Sequence, residues 1–380
     1  MKRWTDGQVE DCTRGIGSLG SVAAVAVASR ILVILAGRFA SRHLLPDPTA
    51  PAATFAVSPW FRWDAVSYLQ LASQGYTGET STAFFPLYPL LGFVLSRSIG
   101  VSPEWALLIL SNSCFAAACL VLFDLVRREV TEEAALIAVA SLCFFPPTVF
   151  LSVAYSESLF LLLTGVTFRL LQAGMLCPAA LVAGLAAAAR PLGWALAFPV
   201  MVEAWCLRRP PTLKALWRCS LLGLVSLWGL CAYMGYLGVT YGDPLLVFRA
   251  HFRWHSQPVE SLWAYLPWRL FLTIVGTGSR EALVNVIFFL GFALLTIASV
   301  KRLPGRYTAF SLPVMMLLYW RAPFVLFQGA NRHILSMATV YLSIGVLLSR
   351  RSGYALAVIS LFAGLSVFWT ALYFQGYLIR

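Results

Sequence analysis

Charge is what this sequence has least of. Only 12% of its 380 residues are Asp, Glu, Lys or Arg, and the acids are the rarer kind, 16 against 28 basic residues. Soluble globular domains carry about a quarter of their residues as charges, so that class is excluded. Long polar linkers are missing too, and the chain reads as one unit over residues 1–380. No repeat of 20–50 residues is visible, which removes solenoids and argues against the paired halves of many transporters. The strand-length alternation of a membrane β-barrel is also absent.

What fills the chain instead is apolar. Hydrophobic residues make up 59% and the mean hydropathy is +0.78. Runs of this kind have to satisfy their backbone hydrogen bonds inside helices, so the expected fold is all-α and polytopic, with about eleven spans in a range of nine to thirteen. The net charge of +12 comes from Lys and Arg clustered between apolar runs, where they orient the chain in a membrane, and no nucleic-acid partner is expected. Eight cysteines are scattered through apolar segments without metal-ligand spacing or a paired framework, and read as small buried hydrophobes.

Lys2, Arg3 and Arg14 precede the apolar run from 18 to 40, which predicts a cytoplasmic amino end and a retained first span. The loop over 41–103 then lies outside. It holds RWDAVSYLQLASQGY (62–76) and FFPLYPLL (84–91), whose apolar stripe and paired prolines, Pro86 and Pro89, predict short interfacial or re-entrant helices. Further spans are expected at 104–126, 132–150, 158–173, 177–189, 191–207, 217–239, 281–300, 307–325, 332–349 and 353–374, with 262–276 along the surface. In that arrangement the tight basic clusters fall inside and the carboxy end outside. Asp64, Glu157, Arg190, Asp243, Arg249, His251, His255, Arg332 and His333 share the outer face.

Each of these residues has a bland reading beside the chemical one. Asp64 fits an N-cap of the helix it begins, or a carboxylate held at the membrane boundary. Glu157 fits an acid favoured by a helix dipole. Arg190 breaks two short apolar half-helices, and a guanidinium there requires a partner: a phosphate, or Glu157. Asp243 stands in a Gly-Asp-Pro turn. His251 and His255 are spaced for one helix face, but lack a third convergent ligand, so no metal is inferred. Arg332 opens a span where it opposes the dipole, which calls for an anion nearby or for snorkelling to headgroups.

Taken together, six strings in order resemble the PIG-V family of mannosyltransferases, within the GT-C class of multispanning glycosyltransferases. They are RWDAVSYLQLASQGY, FFPLYPLL, FFPPTVFLSVAYSESLFLLL, LAAAARPLGWAL, GDPLLVFRAHFRWH and NRHIL. The resemblance implies a GT-C fold and transfer of mannose from a polyprenyl-phosphate mannose donor to a lipid-linked acceptor on the extracytoplasmic or luminal face. It implies Asp64 as general base, and an inverting single displacement giving an α-mannoside. Arg190, Arg332 and His333 are then the candidates for the donor phosphate. Arg62, Trp63, Tyr88, Tyr155, Glu157, Asp243 and Arg249 are candidates to order the acceptor or support the site. No cofactor is expected, since the lipid-phosphate sugar is a substrate, and the resemblance leaves room for a small membrane partner subunit. The compact length favours a bacterial plasma membrane, with the endoplasmic reticulum as the alternative. Other readings are a GT-C transferase of another sugar or with a protein acceptor, a lipid-linked saccharide transporter or flippase, and a non-catalytic scaffold.

Overall fold

In the computed structural model the described residues are 6–48, 59–206, 212–255 and 262–377, with side chains described throughout except at 6–16, 252–255 and 262. Every regular element among them is helical. The long α1 (Asp6–His43) is followed by α2 (Asp64–Gln74) and α3 (Leu87–Ile99), with a 3₁₀ turn at Glu79–Ala83 between them. The short helices expected around 62–76 and 84–91 are present. Next come α4 (Pro103–Glu129), α5 (Glu132–Phe144), α6 (Glu157–Gln172), α7 (Leu176–Ala189), α8 (Ala197–Cys206), α9 (Leu213–Val225) and α10 (Trp228–Tyr241). The chain continues through α11 (Leu246–His255), α12 (Pro267–Thr277), α13 (Arg280–Ser299), α14 (Gly305–Val325), α15 (Ala330–Leu335), α16 (Ala338–Leu348) and α17 (Ser352–Gln375).

Residues 17–43 of α1, together with α4, α13 and α17, are each long and apolar enough to cross a bilayer. The pair α9 and α10, bent by 53° at its break, makes a fifth candidate. The other expected crossings are shorter or interrupted helices, so the expected eleven is not a count of unbroken spans. The interruptions have local causes. Pro191 pushes Arg190 out of the helical region, to φ −152° and ψ 155°, and α7 stops there. Helix α14 carries Pro313 and Pro323 within it and ends where Leu326 and Phe327 take left-handed φ values of 47° and 61°. Thr131 starts α5 by accepting from the Ala134 amide at 3.1 Å, with Glu132 and Glu133 at the positive end of the dipole.

The core forms where α4 packs on α5 and α6, α6 on α7, α16 on α5, and α17 on α1. Small residues allow the close approaches that lipid-embedded helices need. Ala179, Ala180, Ala183 and Ala186 are buried along α7, and a Cβ added at Gly345 would sit 2.4 Å from the Ala134 carbonyl oxygen. Cys114, Cys119, Cys143 and Cys219 are buried as expected, but Cys177, Cys206 and Cys231 are exposed, because their helix faces turn away from the bundle.

Charge is gathered at the two ends of α6. At its carboxy end Arg169 donates to Asp124 at 2.7 Å, and nearby Arg306 bridges Glu129 and Glu203. At its amino end stands Glu157, twelve residues earlier and about 18 Å along the axis. The second cluster is built there.

Candidate active site

Glu157 is fully buried in the first turn of α6, where the dipole favours an acid. Its Oε1 meets two guanidinium groups, Arg190 Nη1 at 2.7 Å and Arg332 Nη2 at 2.7 Å, with Arg332 Nε also donating at 2.9 Å. Arg332 reaches the other way to Asp64, Nη1 to Oδ2 at 2.7 Å, and its guanidinium lies 4.5 Å over the Tyr155 ring. Four charged side chains from four separate helical segments therefore form one chain: Asp64, Arg332, Glu157, Arg190. The dipole-acid and ion-pair readings of Glu157 and Arg190 both hold, and Arg332 is paired with acids rather than extended toward headgroups.

Asp64 is not an N-cap. Trp63 occupies the cap position and Asp64 is the first helical residue. Trp63 has φ 50° and ψ −117°, a left-handed conformation that costs a residue with a side chain about 1–3 kcal/mol. Contacts on both sides hold it there. Arg62 is buried and donates through Nη2 to the Phe374 carbonyl at 2.5 Å; its own carbonyl accepts from Tyr155 Oη at 3.1 Å. The Trp63 ring meets Tyr373 edge-on at 5.2 Å. So α17, at the far end of the sequence, fixes the turn that presents Asp64.

His333 lies on α15, a short helix between α14 and α16. Its Nδ1 is 3.2 Å from Arg190 Nη2. A guanidinium only donates, so Nδ1 accepts and the ring is neutral with its proton on Nε2. Tyr68 of α2 shares a hydrogen bond with Ser156 at 2.9 Å, and burial pushes its hydroxyl up to about 12, so it keeps its proton.

These groups surround a cavity of about 120 Å³ lined by Asp64, Tyr68, Arg190, Arg321, Arg332 and His333 among others. An apolar groove of about 730 Å³ runs beside it, lined by Leu71, Leu87, Phe93, Trp228 and Tyr236. Helix α2 and the end of α7 contribute to both, with Ala188 on the groove and Arg190 on the cavity.

Not every expected residue converges. Tyr88 is fully buried behind Tyr68, and its hydroxyl is engaged with the Leu107 carbonyl at 3.0 Å and Ser111 at 2.6 Å, so it braces the wall. Asp243 and Arg249 pair with each other at 3.0 Å, and Asp243 Oδ1 also accepts from the Leu245 amide; neither lines the cavity. His251 does line it, whereas the His255 side chain is outside the described residues. Sequence reading missed Arg321, Gln328, Tyr68 and Ser156. For Arg321 a signal existed: an arginine inside an apolar run, two residues before Pro323. No three His, Cys, Asp or Glu side chains converge as a metal site among the described residues.

An all-helical bundle of broken half-helices, with an acid and arginines gathered at one end, has the fold of the GT-C class of multispanning glycosyltransferases. The chain superposes on the ArnT crystal structure from Cupriavidus metallidurans with a TM-score of 0.54 at 12% identity, covering 95% of this chain and 77% of that one. Residues 50–204, the segment that holds Asp64, Glu157 and Arg190, match the family model described as mannosyltransferase (PIG-V). Over 142 residues the chain is 36% identical to GPI alpha-1,6-mannosyltransferase 2 of Rattus norvegicus, covering 35% of this chain and 29% of the rat protein. It is 33% identical over 109 residues to GPI mannosyltransferase 2 of Schizosaccharomyces pombe, covering 27% of this chain and 22% of that one. The matched stretches thus span under a third of those relatives.

Proposed function

We propose that this protein is an integral-membrane mannosyltransferase that moves mannose from a polyprenyl-phosphate mannose donor to a lipid-linked acceptor on the extracytoplasmic face. The observation that carries the reading is a carboxylate, Asp64, held at the lip of an arginine-lined cavity that adjoins an apolar groove. The family match of residues 50–204 supports mannose as the sugar, and the names of the rat and fission-yeast relatives support a glycolipid as the acceptor.

In this reading the groove takes the isoprenoid chain and the cavity takes the mannosyl phosphate. The acceptor hydroxyl gives its proton to Asp64 while its oxygen attacks the anomeric carbon. The bond from that carbon to the phosphate oxygen breaks, and polyprenyl phosphate leaves with the electron pair. A single displacement inverts a β-linked donor to an α-mannoside. Arg332 fixes the direction of the Asp64 carboxylate, and with Arg190 it lines the space that takes the leaving phosphate. His333, neutral with a proton on Nε2, is a hydrogen-bond donor to the same group. The ArnT structure was solved with undecaprenyl phosphate bound, the same class of lipid as the leaving group here.

The test is donor choice. Membranes containing the protein are given radiolabelled polyprenyl-phosphate mannose, glucose or arabinose in parallel. The proposal expects label from mannose alone to enter a glycolipid, released by an α-mannosidase. Label entering from another sugar, or into protein, would replace it.

A further inference from the structure

The two arginines assigned to the donor phosphate are already matched in charge. Arg190 and Arg332 face Asp64 and Glu157 at 2.7 Å in one continuous cluster, so two cations and two anions cancel. His333 adds no charge, because its Nδ1 accepts from Arg190. A phosphate entering such a neutral cluster would meet two carboxylates as well as two guanidinium groups. The leaving lipid makes this harder, since its phosphate changes from a diester with one negative charge to a monoester approaching two.

One further cation lines the same cavity. Arg321, near the end of α14, is partly exposed there together with Gln328, Gly329 and His333. Among the described residues no acid and no hydrogen-bond acceptor is placed against it. A guanidinium carried on an apolar helix without a partner is expensive, and in membrane proteins such a residue marks a substrate path. The chain after it is bent toward the cavity: Leu326, Phe327 and Gly329 take left-handed φ values of 47°, 61° and 79°, and this turn brings Gln328 and Gly329 to the lining. A Cβ on Gly329 would lie 3.9 Å from His333 Nε2, the ring nitrogen that carries the proton. Arg321 and the His333 Nε2–H thus face one space, a planar two-pronged donor beside a single donor, which suits a phosphate with three free oxygens.

Resting on the lipid-phosphate-sugar reading above, we infer that Arg321 is the residue that binds the phosphate of the polyprenyl-phosphate donor and of the lipid phosphate released from it. Arg190 and Arg332 then hold the acids, and Arg321 supplies the net positive charge.

The experiment uses the full chain in nanodiscs and polyprenyl phosphate, the lipid without its sugar, as probe. Binding is read from ligand-dependent thermal stabilisation and from inhibition of transfer. Arg321→Gln is expected to weaken binding roughly 10–100-fold, the loss of one charge-assisted contact, with Arg321→Lys between it and wild type. Without lipid, Arg321→Gln should melt no lower than wild type, because no ion pair is lost. Equal lipid binding by Arg321→Gln and wild type would overturn the inference, and so would a marked fall in its lipid-free melting temperature. Inorganic phosphate binding as tightly as the lipid would overturn the lipid assignment. A wild type that binds polyprenyl phosphate through Arg321 yet transfers no mannose would overturn the sugar while leaving Arg321 in place.

Discussion

Arg332 Nη1 lies 2.7 Å from Asp64 Oδ2, across 268 residues of sequence. That contact ties the short helix α15 to the turn that presents the proposed base, and it depends on a forked side chain, because the same guanidinium also holds Glu157 through Nε and Nη2. A lysine has one ammonium and cannot span both acids. Arg332→Lys is therefore expected to fold and to lose about 100-fold in transfer rate, the scale of a misaligned reacting group. Initial rates at saturating donor, set beside expression and melting temperature, check this. Near-wild-type turnover would show that Asp64 needs no such orientation.

Glu157 is the buried centre of the cluster and Asp64 its partly exposed end, so their amides should behave differently. Glu157→Gln leaves Arg190 and Arg332 around a neutral group, and breaking a buried pair from one side costs about 3–5 kcal/mol. Asp64→Asn leaves Arg332 still bound to Glu157. Thermal melts in one detergent should place Glu157→Gln well below wild type and Asp64→Asn close to it. Equal melting of all three would contradict this account of the cluster.

Gly193 stands just after the Arg190–Pro191 break. A Cβ there would fall 2.3 Å from the Ala187 backbone nitrogen and 2.4 Å from the Ala186 carbonyl oxygen, and backbone cannot step aside as a side chain can. Gly193→Ala is expected to displace the segment carrying Arg190 and to reduce transfer by at least roughly 10-fold, a loss of contact geometry of about 1.4 kcal/mol. The same substitution at Gly291, which meets nothing within 4 Å, should leave transfer unchanged. Transfer assays on the two variants decide it.

Much of the site is legible in the sequence because charge is so rare. Asp64, Glu157, Arg190 and Arg332 stand out in apolar surroundings, where a charge demands a partner, and they turn out to be one another's partners. Arg321 has the same signature but lies within a run that fits a simple span at 307–325, and hydropathy averages over it. Tyr88 shows the opposite limit, since the family resemblance makes it a candidate to support the site, while only packing reveals that its hydroxyl is engaged with Ser111 and the Leu107 carbonyl. Span number is hidden for a related reason. Helices broken at the bend between α9 and α10 and between α15 and α16 divide apolar runs that composition alone reads as continuous.

The central claim is that Asp64 accepts the proton of the attacking hydroxyl, and it is tested by comparing wild type with Asp64→Asn for transfer from radiolabelled polyprenyl-phosphate mannose in membranes of matched protein content. The account predicts a discrete labelled glycolipid from wild type and a loss of about 10²–10⁴-fold in the variant, the range for removing a general base. Equal labelling by both proteins would contradict it, leaving Asp64 as an anchor for Arg332 and no more.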